Sequence, residues 1–67
     1  MENMIVYWNA KGEPLVRVLI DSDAPGGIER VDEFLYPAMM DVFGKDEQGE
    51  PVVNNSSFEF ADEWGLK

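Results

Sequence analysis

Neither a cysteine nor a histidine occurs among the 67 residues of this chain. That absence constrains the fold more than any motif does. No disulfide can tie the chain, and the usual Cys and His ligands of a structural zinc are missing. A domain this short buries roughly 60% of the surface its unfolded chain exposes, so its margin of stability is small. Two Trp, two Tyr and four Phe within a 45% hydrophobic composition must therefore supply the core. Residues 1–67 are expected to form a single domain. The lack of cysteine suits a reducing cytoplasm. No apolar run approaches the ~20 residues of a membrane span. The apolar stretch at 4–8 is too short for a signal-peptide core and has no basic residue before it. The expectation is a soluble, cytoplasmic protein.

Two stretches share a word: Gly12-Glu13-Pro14-Leu15-Val16 and Gly49-Glu50-Pro51-Val52-Val53. The next five residues differ, "RVLID" after the first and "NNSSF" after the second, which argues against duplication. In both, a polar segment hands over to an apolar run. Glycine permits turn geometry, and proline, lacking an N–H, is confined to strand starts and edges. Both words are expected to start strands.

Residues 3–9, "NMIVYWN", are β-branched and aromatic and read as a strand. Residues 15–21, "LVRVLID", read as a second, joined to the first by a short turn. Val16, Val18 and Ile20 then face the core, with Leu15 and Leu19 on the other face beside Arg17. Tyr7 and Trp8 point to opposite faces, one of them near the surface. Residues 22–27, "SDAPGG", form a loop. From Ile28 the period becomes helical, with Val31, Leu35, Ala38 or Met39, and Val42 on one face. Glu29, Asp32, Glu33 and Asp41 take the other. Val31 and Leu35 should be buried, and Glu29 and Glu33 exposed. Pro37 should kink this helix or split it near Tyr36-Pro37, and Gly44 should cap its end. "PVVNN" reads as a short strand. Ser56–Glu59 fits a helix capping box, with Phe60 and Trp64 one turn apart and Gly65 closing. Residues 57–60 also alternate as a strand, and that reading gives the better core. The expected fold is α+β: a small antiparallel sheet of about three strands in the order β-β-α-β, with one Pro37-interrupted helix packed on one face.

No catalytic pattern emerges. Ser22, Ser56 and Ser57 have no histidine to activate them. A glycosidase pair would need a deep cleft, for which there is little room. "APGG" lacks the spacing and lysine of a phosphate loop. Residues 21–32 resemble an EF-hand loop, with acids at loop positions one, three, nine and twelve, Gly26 at six and Ile28 at eight. Pro25 at position five offers no side-chain oxygen, Asp32 replaces the preferred Glu, and a strand precedes in place of a helix. The segment therefore reads as a loop and an acidic helix start. No metal, no cofactor and no enzymatic activity are expected.

Charge remains. Fourteen acids against five bases give −9, just beyond the magnitude of about 2–8 that solubility alone accounts for. Such a chain is repelled by bare nucleic acid and anionic membranes and attracted to a basic surface. The acids gather as Asp21 and Asp23; Glu29, Asp32 and Glu33; Asp46, Glu47 and Glu50; and Glu59, Asp62 and Glu63. Loop and helix start should bring Asp21, Asp23, Glu29, Asp32 and Glu33 together, and these five are the expected partner-binding surface. In size, acidity, lack of Cys and His, and mixed α/β reading, the chain is similar to small phage-encoded inhibitors, among them anti-CRISPR proteins and other DNA mimics. The resemblance lies in overall character and carries over no residues. It implies an inhibitor that occupies the basic groove of a nucleic-acid-binding host protein, such as a CRISPR effector or a DNA-repair or restriction enzyme. The other reading is a protein–protein interaction module or small structural protein whose acidity serves solubility. Prolines at strand starts blunt edges, so a monomer is expected.

Overall fold

The structure is a computed structural model that describes residues 2–21 and 23–65; Ser22 lies outside the described residues. Strand β1, Met4–Trp8, pairs antiparallel on one side with β2, Pro14–Leu19, and on the other with β3, Asn55–Glu59. The sheet order is β2-β1-β3. Helix α1, Gly27–Phe43, connects the two outer strands. The expected α+β architecture of three antiparallel strands and one helix is the one observed.

Being central, β1 has a neighbour on each side, and its residues alternate between two covered faces. Ile5 and Tyr7 point toward α1, where Val16, Val18, Ile20, Val31, Leu35, Met39, Phe43, Phe58 and the buried Val53 surround them. Met4, Val6 and Trp8 point away. A 3-10 turn at Ala61–Trp64 folds back over this second face and packs Ala61 and Trp64 on it. Trp8 and Trp64 meet with ring centroids 5.9 Å apart. The Trp8 indole N–H donates to Ser57 Oγ at 2.8 Å, and the Arg17 guanidinium lies over the Trp64 ring. The sequence suggested either a strand or a helix near the C-terminus. The chain makes a strand and then a 3-10 turn, and the Ser56–Glu59 capping box starts no helix. Gly65 ends the turn in the left-handed region, as expected of the closing glycine.

The shared word proves to be a shared turn. In the first copy the Asn9 side-chain carbonyl accepts from the amides of Lys11 and Glu13. Asn9 N–H donates to the Glu13 carbonyl, and Gly12 N–H to the Asn9 carbonyl. In the second, Asp46 accepts from Gln48 and Glu50 and exchanges the same backbone bonds with Glu50 and Gly49. Gly12 and Gly49 take the left-handed φ the turn requires, 80° and 81°. Pro14 does begin β2, opposite Trp8. Pro51 does not begin a strand. It forms one isolated bridge with Lys45, because the arm before this turn is the end of a helix and offers no strand to pair with.

Four other expectations are corrected. Leu15 packs on the helix side, not beside Arg17, because the β1–β2 register shifts at Tyr7/Trp8. On α1, Met39 and Phe43 turn inward, while Ala38 is exposed and Val42 is 74% exposed. Val31 and Leu35 are only half-buried, and no residue of α1 is fully buried. The helix also runs through Pro37 without a break. Pro37 is exposed, so water can serve the Glu33 carbonyl that its missing N–H leaves without a donor. Replacing Pro37 with Ala should then restore a helical bond and raise stability by up to about 3 kcal/mol. Urea unfolding checks this. A lower midpoint for Pro37→Ala would mean that the proline ring packs in a way its exposure does not suggest.

Candidate partner-binding surface

The five acids expected to form one surface do not all do so. Asp21 follows β2 and is exposed; its side chain accepts the Asp23 amide at 3.1 Å, and its carbonyl accepts from Ala24. Asp23 is exposed in the same turn. Two glycines with φ of 78° and 76°, Gly26 and Gly27, then reverse the chain into α1. A Cβ at Gly26 would stand 2.7 Å from Arg30 Cβ, so only glycine fits there. This reversal sets Glu29 in the first turn of α1, where an acid suits the positive end of the helix. Glu33 follows one turn later, also exposed.

Asp32 is turned the other way. It is half-buried under the helix, where its carboxylate accepts the Tyr7 hydroxyl at 2.9 Å and Ser56 Oγ at 3.3 Å. It belongs to the interior and leaves the proposed surface. Two signals in the sequence point to this. Asp32 lies one turn after Ile28 and one turn before Tyr36, on a row that faces the sheet, and a buried Tyr7 needs a hydrogen-bond partner for its hydroxyl. Tyr36 closes the arrangement. Its ring meets Tyr7 edge-on at 5.9 Å, and its hydroxyl donates to the Asn54 carbonyl. Among the described residues no buried side-chain polar atom lacks a partner.

One acid was missed. Glu2 lines the same shallow depression as Asp21, Gly26, Gly27 and Glu29. The hairpin register brings it there. Met4 faces Leu19, and Ile20 N–H donates to the Asn3 carbonyl, so Glu2 comes opposite Asp21. The sequence holds this signal once the turn length is known.

The remaining acids divide by role. Asp46 serves the second turn, and Glu47 and Glu50 are exposed beside it. Glu59 is half-buried, while Asp62 and Glu63 are exposed. Twelve of the fourteen acids, all but Asp32 and Glu59, are thus exposed. Two of the bases, Arg17 and Arg30, stand over aromatic rings. Among the described residues no three His, Cys, Asp or Glu side chains gather as a metal site. The EF-hand-like segment sends its first and last acids to different places, Asp21 to its own turn and Asp32 to Tyr7. No helix among the described residues is long and apolar enough to cross a membrane. No family model matches this chain, and no curated protein or solved structure does.

The Tyr7–Asp32 bond has a consequence in alkaline solution. Burial, and then the Asp32 carboxylate beside it, push the Tyr7 phenol well above its ordinary value of 10.0. The unfolded phenol releases its proton near that ordinary value, whereas the folded one keeps it. The contribution is therefore complete below about pH 10 and is lost as pH rises beyond it. Tyr7→Phe should lose about 1–2 kcal/mol at neutral pH. It should also show a shallower fall in stability between about pH 9 and 11.5 than the parent. Equal alkaline slopes in urea titrations would show that the phenol is not protected in the fold.

Proposed function

We propose that this protein is a small, acidic, non-catalytic inhibitor that works in the cytoplasm by occupying the basic nucleic-acid-binding surface of a host protein. The observation that carries the reading is the acid-rich end of the molecule. There Asp21, Asp23, Glu29 and Glu33 are exposed, and Glu2 joins Asp21 and Glu29 around one depression. The turn after β2 and the first turns of α1 hold these carboxylates, so their mutual repulsion is borne by the fold. Glu29 and Glu33 are one helical turn apart, a like-charge spacing that destabilises a helix by about 0.2–0.5 kcal/mol. A partner that supplies cations at matching positions relieves that repulsion. A CRISPR effector channel or the groove of a DNA-repair or restriction enzyme has this chemistry.

The test uses the immobilised protein and a lysate of its native host. A basic nucleic-acid-binding protein should be retained. Added DNA or RNA should displace it, and so should rising salt, since exposed charges are screened within about 8 Å at physiological ionic strength. The double reversal Glu29→Lys/Glu33→Lys should fold like the parent and weaken retention at least about tenfold, equivalent to ~1.4 kcal/mol. Retention that ignores salt, nucleic acid and the reversal alike would overturn the proposal. It would favour instead an interaction module whose acidity serves solubility.

A further inference from the structure

Helix α1 divides into four rows of residues spaced four apart. Two rows face the sheet: Ile28, Asp32 and Tyr36 on one, whose last member Met40 is exposed, and Val31, Leu35, Met39, Phe43 on the other. The two outer rows are Glu29, Glu33, Pro37, Asp41 and Arg30, Phe34, Ala38, Val42, and all eight residues are exposed. The outer rows differ in chemistry. One carries three carboxylates. The other is apolar beyond Arg30, with Phe34 68% and Val42 74% exposed.

We infer that this outer face of α1 docks a basic amphipathic helix of the partner protein. The inference rests on the proposed function, in which the acidic surface meets a basic partner, and names the contact. Rows spaced four apart are the ridges by which helices interlock. Here Ala38 makes a notch between Phe34 and Val42, which stand about 12 Å apart along the axis. A helix laid across the notch would seat apolar side chains against Phe34 and Val42, at the spacing of helix-in-groove anchors. Its cationic side chains would then meet Glu29, Glu33 and Asp41 in the neighbouring row. Arg30, the one base on this face, lies over the Phe34 ring, 5.4 Å from its centroid, yet leaves the ring mostly open. Beside Pro25, Gly26 and Val31 these two residues line a shallow groove at the helix start. Charge decides the occupant. A second copy would bring another three carboxylates against these, whereas a basic helix matches both rows. An apolar anchor also sets the contact apart from a mimic that works by charge alone.

Two synthetic peptides of about 18 residues, long enough to sustain a helix, provide the probe. One repeats Leu and Lys amphipathically; the other carries the same lysines with Gln in place of Leu. Isothermal titration and amide chemical-shift mapping follow binding to the full chain. The Leu/Lys peptide should bind at least about tenfold more tightly than the Gln/Lys peptide, with the largest shifts at Phe34, Ala38 and Val42. Phe34→Ser/Val42→Ser alters only exposed side chains. It should bring the two affinities within about twofold while leaving Gln/Lys binding unchanged. Equal affinities for the unaltered protein would overturn the inference while leaving the acidic-surface reading standing. Failure of both peptides to bind would overturn the two together. A preference for Leu/Lys that survives Phe34→Ser/Val42→Ser would place the contact elsewhere and overturn it as well. So would a dimer in sedimentation equilibrium that Phe34→Ser/Val42→Ser dissolves, since the occupant would then be a second copy.

Discussion

The structure depends on the burial of one strand from both sides. Met4, Ile5, Val6 and Tyr7 are all fully buried, and besides them only Val53 and Ala61 reach that state among the described hydrophobic residues. In a chain with neither cysteine nor histidine this is an economical core. A central strand covered above and below buries consecutive residues, where a one-sided sheet would bury every second one. Each remaining element is placed by what it adds to β1. The flanking strands satisfy its backbone, α1 covers Ile5 and Tyr7, and the C-terminal turn covers Met4, Val6 and Trp8. Because β1 carries the core, α1 is free to remain half-buried.

The sequence is legible where chemistry is local. The apolar run at the N-terminus, the hairpin, the helical period from Ile28 and the glycines that end α1 and the 3-10 turn all follow from residue type and spacing. The shared Gly-Glu-Pro word reads as punctuation, but only half of its meaning is visible in the sequence. The bond pattern begins three residues earlier, at Asn9 and Asp46. Those two residues differ in name while offering the same acceptor oxygen to the same two amides. Whether a strand comes after the turn depends on what precedes it, and that is not a local property.

Where long-range packing decides, spacing alone is insufficient. Val42 and Phe43 both extend the helical pattern, and the fold selects Phe43 for the interior. Leu15 escapes simple alternation because one register shift moves it to the helix side. Charge alone groups Asp32 with the surface acids. Its place is set instead by Tyr7, twenty-five positions away, whose buried hydroxyl requires an acceptor. Glu2 enters the candidate surface through pairing across the hairpin. The acidic end is thus legible in outline, and tertiary contacts exchange one of its members for another. The separation of α1 into an acidic and an apolar outer row can be assigned only once the inward rows are known.

If β1 holds the fold while α1 is held on one side, the two should differ in how often they open. Native-state amide hydrogen exchange measures this directly. The amides of Ile5, Val6 and Tyr7 should exchange last, at the free energy of global unfolding. The amides of α1 should exchange earlier, through openings that leave the sheet intact. Amides of α1 that outlast those of β1 would contradict the account and make the helix, not the strand, the element on which the rest depends.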